Sequence, residues 1–201
     1  MKIYMVVMKY PADECKKVWN DVKTLKKTYS DEVEYVNNHA KRQLFVRNLV
    51  CSLKGTTLVL FRLREHGEQL YKLIKDKVGD DRPVFHIDGK VDAKTREQIR
   101  NAADSNKDCI LVFSVATSAT GINIKAIENL IINPSKSKIQ TLQSIGRSLR
   151  LCEGKQHSKV FDLVDDLSTG RHKNYLVKHS MERYQVYCDQ GFDVEFKQVQ
   201  F

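Results

Sequence analysis

The sequence predicts an α/β fold built on a mainly parallel sheet, and three observations predict it. Short apolar runs recur at 57–61, 84–87, 109–113, 130–132 and 160–164, and they are continuous rather than alternating. Strands covered on both faces read this way. The intervals between them hold amphipathic patterns at 65–78, 92–104 and 138–150, the length that crossover helices need. Finally, the 201 residues are 41% hydrophobic and 29% charged with only 9 Gly and 3 Pro, a composition that buries a core and shows no low-complexity bias.

The elements follow in order. Residues 2–10 read as an edge strand. Pro11-Ala12-Asp13-Glu14 places a proline and two acids where a helix starts, after which Val18, Trp19, Val22 and Leu25 recur at helical spacing. From Asp31 to Leu53 the apolar positions Val33, Val36, Leu44, Phe45, Leu49 and Val50 roughly keep a 3.6-residue period without Gly or Pro, which predicts one long helix ending at Gly55. The alternating strands and helices of the parallel sheet come next, and their connections place the loops after the strands along one edge, where such folds hold ligands. Beyond about residue 170 the pattern predicts a helix from Tyr175 to Tyr187 and a final strand at 192–196. Three units result: a strand and helical segment at 1–54, the α/β unit at 55–167 and a C-terminal helix-strand extension at 168–201.

Charge and cysteine narrow the function. The chain carries 34 Lys+Arg against 25 Asp+Glu, a net +9, which suggests an anionic partner. The positive field has a focus, since residues 135–159 hold six basic side chains and one acid whereas residues 55–134 hold 12 basic and 11 acidic. The five cysteines are odd in number and far apart, so they give neither a disulfide framework nor a CxxC metal site. No apolar run approaches the ~18 residues of a membrane span and no secretory signal leads the chain, so a cytoplasmic protein with no membrane partner is expected.

The most specific segment is Gln143-Ser144-Ile145-Gly146-Arg147-Ser148-Leu149-Arg150. At about 100° per residue on a helix, Gln143, Arg147 and Arg150 share one face and Leu142, Ile145 and Leu149 the other. One face packs and the other presents two guanidiniums, whose planar, permanently charged forks match phosphate geometry. The pattern Q-x-x-G-R-x-x-R resembles motif VI of the superfamily 2 helicases. Preceding segments agree in type and order. Thr57 to Phe61 with the following Glu65-His66-Gly67-Glu68-Gln69-Leu70 resembles motif IV, Val84 to Gly89 with Arg96 resembles the next block, and Ile110 to Phe113 followed by 114–123 resembles motif V. The resemblance covers about residues 55–165 and implies a RecA-like domain.

That resemblance implies roles. Helicases of this superfamily close two RecA-like domains over ATP and Mg²⁺, and motif VI arginines reach across to the γ-phosphate as arginine fingers. Arg150 and Arg147 would be the catalytic pair, and Gln143 would orient the nucleotide. In motif V, Gly121 would allow close backbone approach to ATP, and Asn123, standing where an acid is usual, would meet the ribose without the charge. Thr117 and Thr120 would hold nucleic-acid phosphates, and Arg62 and Arg64 after the motif IV strand are further phosphate candidates. The implied partners are DNA, or RNA–DNA hybrids, and a first RecA-like domain of the same protein.

Other residues carry plainer readings. His66-Gly67-Glu68 contains H-x-E without the P-C-x-x-C of a zinc deaminase, so no metal site is assigned. His86 and Asp88 sit at a strand end in a structural or phosphate-facing position, and Tyr10, Trp19 and Tyr35 are expected to pack rather than stack on bases. Neither a G-x-x-x-x-G-K-[ST] loop nor a D-E-x-[HD] segment is present. The reading is therefore the second motor domain of an ATP-dependent DNA helicase acting on branched DNA in recombination or repair, itself inactive as an ATPase. The alternative is a stand-alone, non-catalytic nucleic-acid-binding or regulatory module with a RecA-like fold.

Overall fold

The computed structural model describes residues 1–20, 29–106, 108–118, 127–133, 158–170 and 173–201. Seven strands form one sheet: β1 (Lys2–Lys9), β2 (Thr56–Phe61), β3 (Val84–Ile87), β4 (Ile110–Ser114), β5 (Ile127–Ile132), β6 (Lys159–Asp166) and β7 (Asp193–Gln200). Their order is β3-β4-β2-β5-β6-β1-β7, and every pairing among them is parallel. The helices are α1 (Ala12–Asn20), α2 (Tyr29–Asn38), α3 (Ala40–Ser52), α4 (Arg64–Val78), α5 (Ala93–Ser105), the short α6 (Val115–Ser118) and α7 (Tyr175–Asp189).

Successive residues of the central strands point to opposite faces, and each face has its own core. Leu58, Leu60, Leu111 and Phe113 pack with Ala103 of α5 and with Val177 and Tyr187 of α7. Val59, Phe61, Ile110 and Val112 pack with Cys15 of α1, Val33 and Val36 of α2, Val46 and Val50 of α3, and Leu70 and Ile74 of α4. All residues of β2 and β4 are buried, which is why their sequences run apolar without alternation.

Two sequence expectations are corrected. Residues 2–9 are not an edge strand: β1 lies between β6 and β7, in register with both, and β3 and β7 are the edges. The helix expected from Asp31 to Leu53 is two helices broken at His39, whose backbone is extended (φ −74, ψ 109). His39 is the N-cap of α3. Its Nδ1 accepts from the Arg42 amide at 3.2 Å, while its Nε2 lies 2.9 Å from Glu14 Oε2. On the other side of the break, Gln43 donates from its side chain to the Asn37 carbonyl, which satisfies the end of α2. A histidine cap needs neither Gly nor Pro, so the apolar period continued through it undisturbed.

The helix at 65–78, the helix at 92–104 and the helix and strand after residue 170 are present within a few residues of expectation, β7 extending to Gln200. The pattern at 138–150 lies outside the described residues. Tyr10 is 5% exposed and Tyr35 donates to Glu14, so both are committed to packing and hydrogen bonds. The side chain of Trp19 lies outside the described residues. Cys15, Cys51, Cys109 and Cys188 are free thiols. Among the described residues no helix is long and apolar enough to cross a membrane.

Gly67 lets α4 approach the sheet closely. A Cβ at this position would stand 2.5 Å from two ring carbons of Phe61. Phe61 is itself 1% exposed and stacked on His86 with ring centroids 5.2 Å apart. Helix propensity alone favours Gly67→Ala by about 1 kcal/mol, but overpacking a fixed ring costs about 1–3 kcal/mol. We therefore expect Gly67→Ala to lower the denaturant midpoint. A midpoint at or above wild type would show that Phe61 can retreat.

Candidate nucleic-acid and nucleotide interface at the carboxyl edge of the sheet

A wholly parallel sheet brings the carboxyl ends of its strands to one edge, and the loops there are the candidate site. That edge rests on a buried polar network. Arg42 of α3, with no exposed surface, donates from Nε to Asp165 Oδ1 at 2.6 Å, from Nη2 to Asp165 Oδ2 at 2.9 Å and from Nη2 to Asn133 Oδ1 at 2.8 Å. Tyr10, directly after β1, donates to the same Asp165 Oδ1 at 2.6 Å. Burial, reinforced by the Asp165 charge, pushes the Tyr10 phenol well above its ordinary value, so it stays a donor. The network ties the ends of β1, β5 and β6 to a helix of the N-terminal segment.

A second tie crosses from α2 to α7. Glu32, 1% exposed, accepts from the amides of Tyr175 and Leu176, each at 3.0 Å, and from Asn174 Nδ2 at 3.1 Å. A carboxylate from one helix thus caps the N-terminus of another and meets the positive end of its dipole. Asn174 also accepts from the Leu167 amide at 3.2 Å and donates to the Asp165 carbonyl at 3.0 Å.

On this frame stand the predicted site residues. Arg62 and Arg64 emerge at the end of β2, and both are exposed. The Arg62 guanidinium lies over the Tyr29 ring, 5.3 Å from its centroid, and forms no ion pair among the described residues. Arg64 differs. Its Nε lies 2.9 Å from Glu68 Oε1 and 3.0 Å from Asp88 Oδ2, so two carboxylates already offset its charge. Asp88, at the end of β3, is held below the usual carboxylate range by the Lys90 amide and by Arg64. His86 lies inside β3 against Phe61, a packing position. Thr117 lies in α6 immediately after β4 and is 8% exposed. Thr120, Gly121, Asn123, Gln143, Arg147 and Arg150 lie outside the described residues. The structure thus places Arg62 and Arg64 directly after β2 and Thr117 directly after β4, the strand that pairs with β2.

Arg42, Glu32, Asn133, Asp165 and Asn174 escaped the sequence reading. One signal was available, because Val160-Phe161-Asp162-Leu163-Val164-Asp165-Asp166 sets acids inside an apolar run, and a buried strand acid demands a buried cation.

An α/β domain with a seven-stranded parallel sheet and phosphate-suited arginines at its carboxyl edge is the architecture of a RecA-like motor domain. The chain belongs to the family of the helicase conserved C-terminal domain, whose model matches residues 40–152. The match starts at Ala40, the first residue of α3, so the helix that carries Arg42 is part of the family unit. The chain is 30% identical over 213 residues to the ATP-dependent DNA helicase uvsW of Enterobacteria phage T4, covering 99% of this chain and 41% of that protein. The crystal structure of T4 UvsW superposes with a TM-score of 0.82 over the same shares. The C-terminal domain of the DEAD-box protein Dbp5 matches with a TM-score of 0.61 at 14% identity, over 98% of this chain and 90% of that one, a likeness of fold. The chain therefore spans about two fifths of the length of the curated relative that it matches.

His66, 6% exposed at the start of α4, supplies a pH-dependent test of this edge. Burial, with the nearby Arg42 charge, lowers its pKa from 6.5 to about 3. The folded state thus favours neutral imidazole, so this contribution is complete above about pH 6.5 and is lost as pH falls toward about 3. Between about pH 7.5 and pH 5 the wild type should lose about 2 kcal/mol more stability than His66→Leu, measured by urea unfolding. Parallel pH profiles for the two proteins would contradict a buried neutral histidine.

Proposed function

We propose that this chain is the second motor domain of an ATP-dependent DNA helicase that acts on branched DNA in recombination or repair. The observation that carries the reading is the 30% identity to the T4 helicase, which runs through 99% of this chain and is not confined to one motif. The wording of Gln143-x-x-Gly146-Arg147-x-x-Arg150 supports it, because a module that only binds nucleic acid needs positive charge but not this spacing.

In this reading Arg147 and Arg150 stabilise charge on the transferring phosphoryl group, and Gln143, Gly121 and Asn123 contact the nucleotide. Thr117, Thr120 and Arg62 hold DNA phosphates, with Arg64 contributing to the extent that Glu68 and Asp88 release it. Among the described residues no group of three His, Cys, Asp or Glu is placed to hold a metal ion. The donors offered here are guanidinium, amide and hydroxyl groups, which fit the phosphate oxygens of MgATP rather than Mg²⁺ itself. The ion and the phosphate loop would belong to the first RecA-like domain, where bound MgATP supplies the scissile phosphoanhydride. The chain by itself should then show no ATPase activity above background, with or without DNA.

The test belongs in the complete helicase. Arg150→Lys should lower ATP turnover by roughly a hundredfold or more with little change in DNA affinity, because Lys keeps the charge and loses the planar fork. Turnover within about threefold of wild type, worth under ~1 kcal/mol, would remove the arginine-finger role and favour a non-catalytic binding module. Binding of DNA by the isolated chain should weaken as salt rises, since phosphate contacts release counterions. A salt-insensitive affinity would contradict a backbone-tracking domain.

A further inference from the structure

Behind Arg62 the surface sinks into a cleft of about 470 Å³ between α2 and the start of α4. Its lining has two parts. Tyr29, the buried Val33 and Leu63, 44% exposed, are its apolar and aromatic lining. His66 and Asn37 supply polar groups: burial keeps the imidazole neutral, so it can donate from one nitrogen and accept at the other. Asn37 is 5% exposed and its side-chain oxygen has no hydrogen-bond partner.

The charges on the lining cancel. The lining holds two arginines, Arg62 and Arg64, and two glutamates, Glu34 and Glu65, a formal charge of zero, so the interior does not suit a second phosphate. It suits a neutral, flat group with polar edges, attached to an anion that stays at the rim. The volume falls in the range of small-molecule sites, and an aromatic wall with a few polar groups is their usual lining.

We propose that this cleft receives one unstacked nucleobase of a DNA strand whose adjoining phosphate is held at the rim by Arg62. The inference rests on the nucleic-acid reading above and adds a base-binding site to it. A base would lie along Leu63 and Tyr29, whose ring also carries the Arg62 guanidinium 5.3 Å from its centroid, with its edge toward His66 and Asn37. A neutral imidazole and a carboxamide each carry a donor and an acceptor, so every base finds a complement and strict sequence preference is not expected. The cleft would hold a strand in place through one splayed base while the phosphates alone would let it slide.

The test compares two short single strands on the isolated chain by fluorescence anisotropy, one with all its bases and one with abasic residues throughout. The wild type should bind the base-bearing strand roughly tenfold more tightly. Ser30 is exposed and lines the cleft, so Ser30→Trp fills it without changing charge. This variant should bind both strands alike, at the wild-type affinity for the abasic strand and with the wild-type salt slope. Leu63→Ala, which removes one exposed wall, should reduce the difference between the strands severalfold. A free nucleoside monophosphate should compete poorly; competition as strong as that of the strand would assign the cleft to a mononucleotide and overturn the proposal. Salt-dependent binding with no preference for the base-bearing strand, or a preference untouched by both substitutions, overturns the base site and leaves the backbone track standing. Binding of neither strand overturns both.

Discussion

Asp162 and Asp165 sit on a strand that is covered on both faces, with at most 1% of either residue exposed, and the rest of the molecule is arranged to answer them. An unpaired carboxylate in such a place would cost several kcal/mol, so each must meet a buried cation with its lone pairs satisfied. Asp162 accepts from Arg183 of α7 through two bonds at 2.7 and 2.6 Å and from the Tyr187 hydroxyl at 2.8 Å. Asp165 receives Arg42 of α3 and Tyr10. One acid therefore requires the C-terminal helix and the other requires the N-terminal helices. Replacing such pairs by apolar groups of similar volume can be neutral or stabilising, whereas removing one partner costs about 3–5 kcal/mol. Here the two pairs tie α3 and α7 to β6, one through Asp165 and the other through Asp162.

That constraint explains how chain ends far apart in sequence join one sheet. β1 pairs with β6 from Lys2 to Lys9 and with β7 along the same length, so the first and last strands stand side by side next to the strand that carries both acids. Glu32 then joins α2 to α7, and Asn174 links that cap to the carbonyl of Asp165. The carboxyl edge is consequently held from behind by hydrogen bonds that do not involve its exposed loops. Loops positioned by a rigid scaffold can present charged side chains without having to stabilise the fold themselves. Arg62 is in that position, exposed and paired with an aromatic face instead of an acid.

The central strands were legible because burial on both faces leaves a mark in composition, and β2 and β4 were read within a residue of their ends. The place of β1 was not legible for a related reason. Its burial alternates for much of its length, as it would at an edge, and its register is set by partners more than 150 residues away. The break at His39 was hidden because an imidazole supplied the cap and neither Gly nor Pro marks the position. Of the site, the position of Arg62 and Arg64 followed from their place just after a strand. The cleft did not, since one of its walls comes from α2 and the other from the start of α4, a juxtaposition that no local pattern encodes. The burial of Asp165 was signalled by an acid in an apolar run, but its partner, 123 residues away, was not.

The distribution of charge divides the work of binding between distance and contact. Residues 1–54 carry 11 basic and 6 acidic side chains, or +5, and residues 135–159 carry 6 and 1, again +5, while residues 55–134 contribute +1 and residues 160–201, with 5 basic and 7 acidic, −2. The net +9 is therefore held by two segments, one before and one after the strands that form the centre of the sheet. Such a field attracts a polyanion and accelerates encounter, and it is screened beyond about 8–10 Å at physiological ionic strength. It cannot by itself decide where a strand comes to rest. The cleft beside Arg62 has the opposite character, because its own charges cancel and its walls are apolar or neutral and polar. Contacts of that kind act only at van der Waals range and are little affected by salt, so they fix position once the strand has arrived. With a base in the cleft as proposed, the two are complementary: a salt-dependent attraction that leaves the strand free to move, and a salt-insensitive hold at a single nucleotide.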